Sequence, residues 1–328
     1  MKRPDKNERI WQLLDILSDG KFHSGEILGK SLGISRASVF DALREAEHLG
    51  IALQRVRGRG YRLTQPWQKL TIGEVLGFLG NKAGQFNIEI LRQATSSNSL
   101  LLKRASSGLQ SGSVLAVELQ TAGRGRQGRT WHSGLGNALT FSLFWRFETG
   151  LNSLSGLSLA VGVAVVRALK KQGGQGVQLK WPNDILTEQG KLGGILIEAQ
   201  GDMLGPTVVV IGIGLNYRLS GNYEKIIDQP FCSLDNVCAD MPTRDQLLAM
   251  ILIELDEVLH EFADQGFEVF CAEWEQYHAY QNHTVRLKMP DGTEMLGTAS
   301  SINKSGELGL KTPQGVKYFN SGEIENTQ

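Results

Sequence analysis

The residues best suited to chemistry lie in the run Gln120-Thr121-Ala122-Gly123-Arg124-Gly125-Arg126-Gln127-Gly128-Arg129-Thr130-Trp131. Glycine lets backbone N–H groups turn toward a ligand with no Cβ in the way. Arginine offers a planar, permanently charged fork that fits phosphate or carboxylate. The run has almost no apolar side chain to bury, so ordering it is entropically unfavourable. It reads as a loop that orders over an anionic ligand; a solvated basic loop or an RNA-binding tract is the plainer alternative. It is not a phosphate loop of the Gly-Lys-Ser/Thr kind. A second group is Lys180-Trp181-Pro182-Asn183-Asp184, followed by Lys191-Leu192-Gly193-Gly194-Ile195-Leu196-Ile197-Glu198. Residues 177–181 read as a strand stopped by Pro182, Asn183 and Asp184 as a turn, and residues 192–198 as the next strand. Lys180, Asp184 and Lys191 then face one another across a hairpin, which taken alone is also an ordinary polar hairpin. A third group, Thr95-Ser96-Ser97-Asn98-Ser99, offers hydroxyls and an amide to a polar, uncharged ring. A Ser/Asn helix cap competes with that reading.

The elements that must position these groups are strands and helices in alternation. Strands are expected over residues 86–91, 114–119, 138–145 and 207–213, the last ending at Gly214-Leu215-Asn216. Leu157, Val161, Ala164, Val165 and Ala168 make a helix face for the sheet. Thr243 opens a Thr-x-x-Gln capping box, and Leu247, Leu248, Ile251, Leu252, Leu255, Leu259 and Phe262 follow at helical spacing. Trp274 and Tyr277 read as packing residues of a short helix. From about residue 277, alternating apolar residues and the turn dipeptides Asp291-Gly292, Ser305-Gly306 and Gln314-Gly315 suggest a small antiparallel barrel.

The N-terminal residues follow different rules. Ile10, Leu13, Leu14 and Leu17 form one helix face, ended by Gly20. Ser24 caps a short helix carrying Ile27, Leu28 and Leu32, and Gly33 supplies a turn. Ser35 caps a third helix with Val39, Leu43 and Ala46 inside and Gly50 at its end. That helix exposes Ser35, Arg36, Ser38, Asp41 and Arg44, and a glycine-linked pair of strands follows with Arg57 and Arg59 at its tip. This fits a DNA-binding helix-turn-helix with a wing; a three-helix interaction module is the alternative. Gln65-Pro66-Trp67 reads as a linker.

The chain has 328 residues and zero formal net charge. Residues 1–65 carry 12 Lys and Arg against 8 Asp and Glu, so a basic front end is balanced by an acidic remainder. The 3 cysteines show no zinc spacing. They read as reduced thiols of a cytoplasmic protein. Neither a signal-peptide core nor a transmembrane-length apolar run is present.

Together, the Gly123–Arg129 run with Trp131, Lys180-Trp181-Pro182-Asn183-Asp184, Lys191-Leu192-Gly193-Gly194-Ile195-Leu196 and Gly212-Ile213-Gly214-Leu215-Asn216 resemble the biotin–protein ligase family, specifically its bifunctional class that also represses the biotin operon. The resemblance implies a multi-domain α+β chain. Its parts would be a winged helix-turn-helix over 1–66, a class II synthetase-like ligase domain with a mixed sheet over 67–276, and an SH3-like β-barrel over 277–328. It implies ATP, Mg²⁺ and biotin, with biotin adenylated and then transferred to a carrier-protein lysine. Ser96, Ser97, Asn98, Gln120, Arg124, Gly125, Arg126, Trp131, Lys191, Asn183, Gly212 and Asn216 would bind the ligand. Arg126, Lys191, Asp184 and Lys180 would act on the reacting groups, with Asp184 facing the metal, and Phe231 would pack near adenine. Ser35, Arg36, Ser38, Arg44, Arg57 and Arg59 would face DNA. Expected partners are a biotin carboxyl carrier protein, operator DNA and a second copy once loaded with biotinyl-AMP, with no membrane. A lipoate ligase, or a ligand-sensing transcription factor without catalysis, remains the competing reading.

Overall fold

Apolar residues spaced i, i+3, i+4, i+7 bury one side of the first helix, and the same rule builds most of the chain. The computed structural model describes residues 6–64, 67–219 and 229–326. Helix α1 (Lys6–Leu17) buries Ile10, Leu13, Leu14 and Leu17. Ser24 caps α2 (Gly25–Leu32) by accepting from the Ile27 N–H, and Gly33 ends it in the left-handed region at φ 64°. Ser35 caps α3 (Arg36–His48) through the Ser38 N–H. Val39, Leu43 and Ala46 lie inside. Of the apolar residues this helix carries, Leu28 is buried and Ile27 is 56% exposed. Adjacent helical residues point about 100° apart, so both cannot face one core. Strands β1 (Leu53–Val56) and β2 (Gly60–Leu63) form an antiparallel pair. Gly60 allows the pair to lie on the chain at His23: a Cβ there would sit 2.0 Å from the His23 carbonyl oxygen. Of the expected linker, Gln65 and Pro66 fall outside the described residues. Trp67 is buried and meets Trp11 of α1, ring centroids 5.9 Å apart.

Helix α4 (Ile72–Leu79) leads to the central sheet, β3 (Asn87–Ala94), β4 (Ser113–Gln120), β5 (Ala138–Phe147), β6 (Gln178–Lys180), β7 (Asp184–Thr187), β8 (Gly190–Gly201) and β9 (Thr207–Asn216). Its order is β3-β4-β5-β9-β8-β7-β6, and β3 with β4 is its parallel pair, so the sheet is mixed. Helix α5 (Ser97–Ala105) covers one face through Leu101. Helices α6 (Leu157–Lys171) and α7 (Arg244–Gln265) pack against each other over the larger core. Thr243 caps α7, but the expected capping box is half made: Gln246 turns its amide to Gln172 instead. A buried ion pair joins Arg244 of α7 to Glu118 of β4 at 2.6 Å.

Short α8 (Cys271–Gln276) seats Trp274, which is buried. Then come β10 (Thr284–Lys288), β11 (Glu294–Ile302), β12 (Leu308–Thr312), β13 (Gly315–Phe319) and β14 (Glu323–Asn326), an antiparallel sheet ordered β13-β12-β11-β10-β14. Its inward residues Val285, Leu287, Leu310 and Ile324 belong to the same core as the central sheet. The Trp181 indole N–H donates to the Gly306 carbonyl at 3.0 Å, tying the two sheets together at the foot of the site. Among the described residues, no helix is long and apolar enough to cross a membrane.

Candidate active site

A cleft of about 970 Å³, mouth included, opens where the Gly-Arg run crosses the sheet. Its wall contains Ser96, Ser97, Asn98, Gln120, Arg124, Gly125, Arg126, Trp131, Lys180, Asn183, Asp184, Lys191 and Gly212. Sequence-distant groups are therefore brought to one place. Asn216 is the exception among the expected ligand-binding residues, because it is not part of the wall. Its buried amide donates to the carbonyls of Lys191 and Cys232, both at 3.0 Å. It fastens the chain beside Phe231, whose backbone bridges to Lys191.

One end of the cleft is neutral. Ser96 caps α5 through a long 3.5 Å contact from the Ser99 N–H, so the capping reading holds for that residue. The next two side chains do something else. Ser97 gives its backbone N–H to the Gln120 side-chain Oε1 at 2.8 Å, and its hydroxyl donates to the same atom at 3.2 Å. The Asn98 amide donates to the Leu196 carbonyl at 3.1 Å and to Glu198 at 2.9 Å. Ser142, fully buried on β5, reaches Ser97 Oγ at 2.7 Å and Asn98 Oδ1 at 2.5 Å. Ser142 and Glu198 carried no sequence signal as site residues. Ser142 sits in an apolar strand, and only the β5–β9 pairing sets it opposite Gly212.

The other end is cationic. Asn183 and Asp184 are expected to form one turn between two strands. Asp184 instead begins β7, paired with Lys180 on one side and Gly194 on the other. The three-stranded meander, rather than a single hairpin, brings Lys191 Nζ to 2.7 Å from Asp184 Oδ1. Arg126 Nη1 donates to Asn183 Oδ1 at 3.3 Å. Burial pushes the Lys180 pKa down; Asp184 opposes this, and Lys191 reinforces it. Burial likewise lowers Arg126, again against the pull of Asp184. Several cations around one carboxylate leave an uncompensated positive field that suits a polyanion. Among the described residues, no cluster of three His, Cys, Asp or Glu side chains could hold a metal ion by itself. One carboxylate does fit an ion that arrives on phosphate oxygens and keeps its waters.

The Gly-Arg run is folded over this cleft. Arg124 and Thr130 bridge, Gly125 N–H donates to Arg129 O at 2.8 Å, and Gln127 takes φ 53°. Arg124 pairs with Glu198 at 2.6 Å, and Arg129 with Glu323 of β14. The Trp131 ring lies on Gly214, where a Cβ would come within 2.5 Å of it, and its Nε1 is buried without a partner.

The expected DNA-facing residues lie far along the chain from this cleft. Arg36, Arg44, Arg57 and Arg59 are exposed. Ser35 and Ser38 bond each other at 2.9 Å while Ser35 caps α3, so the Ser35 hydroxyl is already engaged. Arg59 stacks over Phe22, 4.4 Å from its centroid, which stiffens the turn between β1 and β2.

Comparison with known proteins agrees with this geometry. The model of the biotin/lipoate A/B protein ligase family matches residues 90–216, the stretch from β3 through β9. The chain is 35% identical to the bifunctional ligase/repressor BirA of Escherichia coli (strain K12) over 95% of each chain. It is 31% identical to the Bacillus subtilis (strain 168) protein of the same name, over 95% of this chain and 97% of that one. Among solved structures, the Aquifex aeolicus biotin protein ligase in complex with biotin and ATP superposes with a TM-score of 0.62 at 27% identity, covering 73% of this chain and 97% of that one. With relatives of this identity spanning nearly its whole length, the chain belongs to the biotin–protein ligase family.

Proposed function

We propose that the chain is an ATP-dependent biotin–protein ligase that also represses biotin-synthesis genes. The observation carrying this reading is a single cleft with an uncharged hydrogen-bonding wall at one end and Arg126, Lys180 and Lys191 around Asp184 at the other. The neutral wall, Ser97 and Gln120 foremost, takes the ureido ring, and the cationic end takes the triphosphate. Arg126 stands between them and holds carboxylate and α-phosphate in line. A biotin carboxylate oxygen attacks the α-phosphorus, the bond to the β-phosphate breaks, and pyrophosphate leaves. The ε-amine of a carrier lysine then attacks the acyl carbon, gives its proton to water, and AMP departs with the bonding pair. Both steps gather negative charge, which the half-buried cations stabilise where it develops. Asp184 would hold Mg²⁺ on the phosphates, where the ion neutralises charge. Phe231, seated beside Lys191, would pack near the adenine.

In this reading residues 1–66 are a winged helix-turn-helix, 67–276 a class II synthetase-like ligase domain, and 277–328 an SH3-like module completing the site. Arg36, Ser38 and Arg44 of the second helix of the motif face the major groove, and Arg57 and Arg59 the phosphates. The protein works in the cytoplasm, on a biotin carboxyl carrier protein. When loaded with biotinyl-AMP it dimerises onto a two-fold operator. The test is pyrophosphate release from ATP and Mg²⁺ on adding biotin, with lipoic acid as control, followed by transfer of radiolabelled biotin to a carrier domain. Release with lipoic acid alone would assign a different acyl substrate. Release with neither acid would leave a DNA-binding sensor.

A further inference from the structure

We propose that Phe40, on the exposed face of α3, reads the 5-methyl group of a thymine in the major groove of double-stranded DNA, so that an aromatic ring and not an arginine sets the preferred base at that position. The proposal rests on the DNA-binding half of the proposed function and names what that half recognises. Helix α3 turns Val39, Ala42, Leu43 and Ala46 inward. Its other side exposes Arg36, Ala37, Phe40, Asp41 and Arg44. Ala37, Phe40, Asp41 and Arg44 are spaced i, i+3, i+4, i+7 and share one strip of the helix surface. Phe40 is the large apolar side chain of that strip and is 42% exposed. An aromatic ring left in water forgoes burial that a partner can restore.

The ring is exposed but held. The Arg55 guanidinium lies over it, 5.0 Å from the ring centroid. Arg55 comes from β1 and is itself anchored. It pairs with Glu47 of α3 and lies 5.7 Å from the ring centroid of Tyr61 on β2. The helix and the β-pair thus fix Phe40 between them, and little rotamer freedom is left to lose on binding. The surroundings select the occupant. Residues 1–65 carry 12 Lys and Arg against 8 Asp and Glu. Arg36 and Arg44 stand exposed on α3 itself, and Arg57 and Arg59 in the turn between β1 and β2. Cations at the margins hold phosphates and leave the strip between them facing base edges. Asp41 repels phosphate but can accept from a cytosine amino group, so it too suits a base edge. Neither Phe40 nor Ala37 has a side-chain donor or acceptor, and the methyl group that a major groove offers to such side chains is that of thymine.

The experiment uses a duplex selected from a random library by the full-length wild-type protein with biotin, ATP and Mg²⁺. Each thymine is replaced in turn by deoxyuridine, which removes only the methyl, and affinity is measured by gel shift. For wild type, at least one replacement should weaken binding about fourfold or more, the worth of one buried methyl. Phe40→Ala should bind the parent duplex about tenfold more weakly, and at that position should bind thymine and deoxyuridine duplexes within twofold of each other. Phe40→Gln, which keeps a long side chain but presents polar atoms, should lose the same discrimination. The salt slope of both variants should match wild type, since no charge is removed. Thermal unfolding reports whether Phe40→Ala folds; if it does not, Phe40→Gln decides alone. Weaker binding with the methyl sensitivity kept would mean that the ring only steadies the helix, and overturns the proposal. A wild type indifferent to every deoxyuridine also overturns it and leaves DNA binding intact. Selection that yields no preferred duplex overturns the DNA-binding half of the proposed function with it.

Discussion

Replacing Gly212 by alanine isolates the neutral wall from the rest of the site. The new Cβ would lie 2.2 Å from Oδ1, 2.9 Å from Cγ and 3.0 Å from Nδ2 of Asn98. An ordinary contact needs about 3.4 Å, so something must move by roughly 1 Å. Strand β9 cannot retreat, because Gly212 is paired with Ser142 on one side and Leu196 on the other. Asn98 must therefore rotate and give up its bonds to Ser142, Leu196 and Glu198. At about 1 kcal/mol net per bond, with partners left short inside the protein, the loss is about 2–4 kcal/mol. Expressed in affinity, that is a weakening of biotin binding by roughly 30- to 700-fold. Isothermal titration with biotin and with ATP measures it, and thermal unfolding records whether the fold survives. ATP affinity should change less than threefold, since Lys180, Asp184 and Lys191, proposed to take the triphosphate, make none of the contacts that Asn98 gives up. A folded variant that binds biotin within threefold of wild type would refute the reasoning, because Asn98 would then hold nothing the ligand uses.

Three further perturbations address the other parts. Arg126→Gly removes the cation bridging the two ends of the cleft, so the acyl-adenylate should escape; labelling of a bystander protein by labelled biotin should rise well above wild type, and unchanged labelling would remove Arg126 from that role. Lys180→Met removes a half-buried cation, whose folded-state pKa burial holds below the ordinary value. The unfolded chain binds the extra proton, so apo stability contributed by this group rises with pH between the folded and unfolded values; at neutral pH the variant should melt higher than wild type while nucleotide affinity falls. A variant that melted lower would mean the lysine is stabilised by its neighbours. Arg44→Ala and Arg57→Ala should each reduce the salt slope of DNA binding by about 1 with adenylation untouched; an unaltered slope in gel-shift titrations would take that arginine off the phosphates.

Much was legible in the residues themselves. Caps and periodicity located the helices, as Ser24, Ser35 and Thr243 show, because a cap is a local bond between neighbours in sequence. Composition marked the Gly-Arg run and the Lys180–Asp184 segment as candidates for ligand chemistry, and both line the one cleft. What local rules misjudged depended on distant partners. Asp184 looked like a turn residue because β7 has only four residues and becomes a strand through pairing on both sides. Asn216 follows a ligand-like glycine motif, yet its amide is spent on two carbonyls from other segments.

The sequence by itself determined the chemical inventory: neutral hydrogen-bonding groups, a cationic run, a lone acid between lysines, and a basic helical front end. Only the tertiary structure decided which of these meet. Ser142 and Glu198 lie 56 residues apart in the numbering of the chain. Ser142 sits in an apolar strand, and the two side chains meet at Asn98 only because β5, β9 and β8 lie side by side with Ser142, Gly212 and Leu196 in register. The physical reason is range. Propensity and capping act over one helical turn, whereas the polarity of a binding wall is set by buried groups that sheet pairing brings within hydrogen-bonding distance.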